Sequence, residues 1–168
     1  MFFVATARSQ GRVNISPKGM DTFRVITPNR VVWLNLTGSG NETAAHLMEH
    51  SRMTIMFCAF EGKPSILRLY GHATIHHRMD ERYGQYIHLF DDMNGARQIV
   101  EMEVDLVQKS CGFAVPLYDH IGSRTELDKW AQKKGPEQII QYQLERNATS
   151  LDGYDTDIRK VLGEHDEV

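Results

Sequence analysis

Cysteine is scarce in this chain. Cys58 and Cys111 are the only two in 168 residues, too few for a disulfide framework. Their apolar settings, MFCAF and SCGFAV, read as two reduced, buried thiols in a cytoplasmic protein. Basic blocks are absent: Lys and Arg total 19 against 22 for Asp and Glu, a formal charge of −3, which argues against general nucleic-acid binding. No apolar run approaches the ~20 residues that span a bilayer. The start, MFFVATARSQ, lacks the basic region of a signal peptide and reads as a first strand. Gly-x-Ser-x-Gly elbows, phosphate-loop and dinucleotide fingerprints and metal-ligand spacings are missing as well. His72, His76 and His77 cluster in sequence without further ligands, and His46 and His50 lack the glutamate position of a zinc-protease helix. No metal site is expected.

What remains is 41% hydrophobic and 24% charged, an ordinary globular composition, long enough for a real core and most simply one domain over 1–168. Short β-type runs dominate the first two-thirds: 2–7, 12–16, 23–26, 31–37, 53–60, 65–75, 99–108 and a last short strand at 112–117. In 99–108 Val100, Met102, Val104 and Leu106 alternate with Glu101, Glu103 and Asp105, which predicts a half-buried strand with a solvated acidic face. Trp33, Phe57, Phe60 and Tyr70 are expected in the core. Helical patterns occupy 41–50, with Ala44, Leu47, Met48 and Ser51 inward, then 80–90, and again from Thr125 onward around a Gly135-Pro136 break. Consecutive strands with one short inserted helix predict a small closed or nearly closed antiparallel barrel of six or seven strands, over about 1–118. A helical extension follows over about 123–168, with a charged tail after Asp152-Gly153 that is expected to fray.

Two polar clusters stand out. Between the strand VVWLNLT and the next helix lies Thr37-Gly38-Ser39-Gly40-Asn41. Glycines there let backbone N–H groups approach an anion, and Ser39 and Glu42 have capping-box spacing. The second cluster, Asn14-Ile15-Ser16-Pro17-Lys18-Gly19, puts an amide, a hydroxyl and an ammonium on one strand face, a set suited to a phosphate or the carbonyl edge of a ring. Three Asn-x-Thr sequons, at Asn35, Asn41 and Asn147, carry little weight as glycosylation sites without a secretion signal.

FFVATA, VNISPKG, VVWLNLTGSGNETAAHLMEHSRMTIMFCAF and ILRLYGHATI, in that order, resemble the pyridoxamine 5'-phosphate oxidase-like family of flavin-binding split barrels. SCGFAVPL and NATSLDG resemble one uncharacterised branch of it, and the resemblance runs from Phe2 to about Gly153. It implies a split β-barrel that forms a homodimer with FMN in a cleft between subunits. It also implies that the FMN phosphate and ribityl chain are gripped by Asn14, Ser16 and Lys18 and by Thr37, Ser39, Gly40, Asn41 and Thr43, with residues near Cys111 and Gly112 facing the flavin of the partner. Biosynthetic pyridoxamine-phosphate oxidases carry an Arg-Lys pair where this chain has Glu42 and Thr43, and their C-terminal substrate segment is not recognisable here. Oxidation of pyridoxamine phosphate itself is therefore not expected. FMN-dependent oxidation or reduction of another small molecule is the leading reading. A non-catalytic flavin- or heme-binding dimer and a cofactor-free structural or regulatory split barrel are the alternatives. No catalytic acid or base is identified.

Overall fold

The computed structural model describes residues 1–163. Seven strands form one antiparallel sheet: β1 (Phe2–Thr6), β2 (Asn14–Lys18), β3 (Phe23–Thr27), β4 (Arg30–Leu36), β5 (Arg52–Cys58), β6 (Ile66–His77) and β7 (Ala96–Ser110). Their spatial order is β2-β1-β5-β6-β7-β4-β3. The sheet curls until its two ends approach: Phe2 on β1 meets Phe23 on β3 and Trp33 on β4, with ring centroids 5.2 and 6.2 Å apart. This is the mainly β split-barrel fold that the alternating runs and the resemblance predict.

Alternation decides what lies inside. Phe2, Val4, Trp33, Met53, Ile55, Leu69, Ala73, Val100 and Met102 point inward and form the main core. Each fully buried large apolar side chain contributes ~1.5–3 kcal/mol from surface removed from water. The opposite face of β4 and β7 is also covered. Val32, Leu34 and Ile99 pack under Tyr86 of α2 (Glu81–Ile87) and the following Phe90. Burial on both faces explains why β4 reads as a nearly continuous apolar run, VVWLNL. A bulge between Tyr70 and Gly71 bends β6 against β7. A Cβ at Gly71 would lie 1.9 Å from the Glu103 carbonyl oxygen, so no other residue fits there without displacing backbone.

Several expectations are corrected. Residues 112–117 form turns and coil, not a last strand; β7 runs on to Ser110 and the chain then folds back so tightly that a Cβ on Gly112 would sit 2.8 Å from the Ser65 amide nitrogen. The helix α1 is shorter than 41–50, spanning Glu42–Leu47, and it buries Thr43, Ala44, Ala45 and His46, while Met48 is exposed. Cys58 is half-buried and Cys111 exposed. Tyr70 points outward and donates to Gln108, and Phe60 stacks on Tyr118 in a surface cleft, so neither ring belongs to the core. The acidic face of β7 is not uniformly wet: Glu101 accepts a hydrogen bond from Tyr86, meets Arg30 and lies 2.8 Å from His76 Nε2.

The last helices are α3 (Glu126–Arg146), broken at Gly135 with φ of 71°, and α4 (Ile158–Leu162). The tail expected to fray after Asp152-Gly153 is packed as far as it is described: Asp155 bridges to Thr149, Thr156 and Ile158 are buried and α4 follows. Residues 164–168 lie outside the described residues.

Candidate functional site

Residues of the Asn14–Gly19 cluster share the inner face of β2. Ser16 Oγ donates to Asn14 Oδ1 at 2.9 Å, and Asn14 Nδ2 lies 3.4 Å from Thr43 Oγ1 on α1. Lys18 opposes Phe2, so its side chain also turns inward, over the barrel mouth. Its Nζ reaches Asn35 Oδ1 at 3.4 Å and stands 5.0 Å from the centre of the Trp33 ring. Asn35 in turn donates to Gln98 Oε1 at 3.1 Å. A polar layer thus closes one end of an apolar barrel, built from β2, α1, β4 and β7.

The loop after β4 holds the Thr37–Asn41 cluster. Thr37 is buried and committed internally: its amide and hydroxyl both donate to the Gly95 carbonyl, and its Oγ1 accepts from Gln143 Nε2 at 2.7 Å. The Gly38 carbonyl accepts from Asn147 Nδ2 at 3.0 Å, and the Gly40 carbonyl accepts from Arg97 Nη1 at 3.1 Å. Ser39 is exposed, and Asn41 is buried with both amide atoms unpartnered among the described residues. Loop carbonyls are therefore tied back into the protein. The capping box does not form: α1 has no side-chain cap, and the Glu42 carboxylate accepts the Leu151 amide instead, 3.0 Å from Oε1. With six residues, α1 also supplies a smaller dipole than a full helix.

Charge at the site comes from side chains. Burial, and secondarily the charge of Arg97, lowers Lys18 to about 8 from its ordinary 10.5. Burial also lowers Arg97 to about 9, still protonated at neutral pH. Arg97 Nη1 donates to two neutral acceptors, Gly40 O and Asn147 Oδ1 at 2.5 Å, and its Nε has no partner among the described residues. Among the described residues neither cation makes an ion pair. Burial disfavours the charged form of each, and the charge of Arg97 adds to this at Lys18, so an anion would stabilise both. Gln98 Nε2 is likewise buried and, among the described residues, unpartnered. Lys18 also lines an open cleft of about 1080 Å³ with Phe60, Tyr118, His120 and Arg124, and Phe60 and Tyr118 stack with centroids 5.4 Å apart.

Asn14, Ser16 and Thr43 are brought into one network, whereas Lys18, on the same face of β2, joins Asn35 and Gln98 instead. Gly40 is held by Arg97, and Asn41 opens α1. Thr37 is taken up by internal bonds, and Ser39 stands apart. Arg97, Gln98, Gln143 and Asn147 were missed by motif reading. Arg97 and Gln98 sit in NGARQIV, where a buried charge at a strand start has no signature. A hint for Asn147 lay in the sequons, since all three sequon asparagines, Asn35, Asn41 and Asn147, are buried and converge here.

Residues 1–111 match the family described as pyridoxamine 5'-phosphate oxidase. The chain is similar to the pyridoxamine 5'-phosphate oxidase family protein ustO of Aspergillus flavus, with 36% identity over 173 residues, 91% of this chain and 69% of that one. In fold it is similar to HupZ of Group A Streptococcus (TM-score 0.52, 19% identity, 63% of this chain and 81% of that one). It is also similar to an FMN-binding protein of Syntrophomonas wolfei (TM-score 0.51, 13% identity, 64% of this chain and 75% of that one).

Proposed function

The chain belongs to the pyridoxamine 5'-phosphate oxidase family, and on that premise we propose that it is an FMN-binding flavoprotein whose cofactor phosphate is held by Lys18 and Arg97 beside loop 37–41. The observation that carries this reading is the two cations, Arg97 buried and Lys18 half-buried, with only neutral partners among the described residues. The residues fit the group. An ammonium and a guanidinium suit a phosphate, the free Asn41 amide offers both a donor and an acceptor, and Gln98 Nε2 offers a donor to a ring or ribityl oxygen. Asn14, Ser16 and Thr43 extend the polar wall, and Gly40, held by Arg97, borders the phosphate end.

FMN supplies two-electron redox chemistry, which the reading assigns to an oxidation or reduction of a small molecule. The chain's own part is to bind, orient and desolvate. Lys18 and Arg97 anchor one end, and the cleft from Lys18 to Phe60 and Tyr118 offers an apolar, aromatic wall next to it. A dimer with the flavin between two copies is part of the same reading, and exposed apolar side chains such as Leu106 and Val107 on the outer end of β7 suit such a contact.

Reconstitution tests it. The purified protein is incubated with FMN, freed of excess and scanned. Retained bands near ~370 and ~450 nm, the flavin signature, are expected in about one equivalent per chain. A colourless protein after reconstitution would sink the reading.

A further inference from the structure

Asn147 has no exposed surface and caps the end of α3. Its side chain spends both functions on the anion site. Oδ1 accepts from Arg97 Nη1 at 2.5 Å, and Nδ2 donates to Gly38 O at 3.0 Å. Its own carbonyl accepts from Thr156 Oγ1, and the neighbouring Ala148 carbonyl accepts from Thr156 N at 3.1 Å. The arm 147–157 is further pinned by the Glu42 carboxylate on Leu151 N and by Asp152 on the Arg12 amide at 2.7 Å. A residue distant in sequence therefore fixes both a loop carbonyl and the guanidinium that flanks that loop.

The side-chain chemistry is selective. Aspartate has the same shape and would meet Arg97 as well, yet it would pair with the guanidinium and cancel its charge, and its second oxygen, which cannot donate, would give up the Gly38 carbonyl. Alanine would free the guanidinium and the Gly38 carbonyl together. Asparagine alone of the three aims Arg97 and leaves it charged.

We propose that Asn147 is the positioning residue of the anion site: it orients Arg97 and loop 37–41 through neutral hydrogen bonds, so that the guanidinium charge is kept for a bound phosphate. This rests on the flavin reading for the identity of the ligand, though not for the ordering of the loop. The arm then acts as a strut for the site, and the Asn147 sequon is inaccessible to glycosylation in the folded chain.

The full chain and its Asn147→Asp and Asn147→Ala variants are compared in three measurements: FMN affinity by flavin fluorescence, melting temperature without flavin, and amide hydrogen exchange of residues 38–41 without flavin. Asn147→Asp is expected to melt within a few degrees of the parent, the new ion pair with Arg97 offsetting the lost Gly38 contact, while binding FMN at least 20-fold more weakly, a separation that a purely structural role would not produce. Asn147→Ala is expected to exchange the loop amides at least tenfold faster. Parent-like FMN affinity in Asn147→Asp, or parent-like loop exchange in Asn147→Ala, would overturn the proposal. Should the parent bind no FMN, the flavin reading fails separately and inorganic phosphate becomes the probe. Phosphate that raises the melting temperature of the parent and not of Asn147→Asp upholds the role of Asn147, and phosphate that raises neither overturns it.

Discussion

Lys18 Nζ, from an edge strand, meets Asn35 Oδ1 of β4 at 3.4 Å, which joins the two ends of the split sheet through a charge with a neutral partner. The contact orients the ammonium without neutralising it. A cation placed so is a cost to the empty protein and an asset once an anion arrives.

Its pH dependence follows. Below pH about 8 the folded and unfolded chains both keep the Lys18 proton, and stability is level with respect to this group. Between about 8 and the ordinary 10.5 only the unfolded chain holds it, so raising the pH stabilises the folded protein, by at most ~3 kcal/mol. Urea unfolding at pH 7.0 and 9.5 should show the gain in the parent and lose it in Lys18→Met. FMN affinity should move the other way, falling by up to tenfold per pH unit above about 8 in the parent and far less in Lys18→Arg.

Asn41 separates ligand binding from folding. Its buried amide has no partner among the described residues, so Asn41→Ala removes a desolvated group that gains nothing in the empty protein. Stability without flavin should stay within ~1 kcal/mol of the parent or rise, while FMN binding weakens by ~1–2 kcal/mol. Calorimetric titration beside denaturant unfolding reads both.

Gly71→Ala should destabilise the protein by at least ~2 kcal/mol in urea unfolding, because the new methyl meets the Glu103 carbonyl at the β6 bulge and backbone must give way.

Glu101 ties three elements. Glu101→Ala strands His76 Nε2, leaves the Tyr86 hydroxyl with Arg82 Nη1 alone at 3.4 Å, and removes the partner of Arg30. A loss of ~2–3 kcal/mol is expected in denaturant unfolding, with Glu101→Gln recovering part of it.

How far the chain can be read in advance depends on how local the cause is. The strands β1 to β6 were legible because Val4, Trp33 and Ile55 alternate with outward residues and turn residues such as Pro28 and Asn29 separate the runs. Asn14, Ser16 and Lys18 were legible as one face for the same reason. Residues 112–117 carry strand-like composition, yet Gly112 packs on Ser65 and leaves them no edge to pair with. The capping box failed because Glu42 is drawn to Leu151, a partner 109 positions away that no local pattern announces. Arg97 was hidden for a similar reason: its acceptors come from loop 37–41 and from the end of α3.

The most direct test compares FMN with riboflavin, which differ by the phosphate alone, in calorimetric titrations of the parent protein and of Lys18→Met. If Lys18 and Arg97 grip the phosphate, FMN binds the parent at least ~100-fold more tightly than riboflavin, since each charge-assisted contact is worth ~1.5–3 kcal/mol, and the gap narrows at least tenfold in the variant. Equal affinities for FMN and riboflavin in the parent would contradict the account.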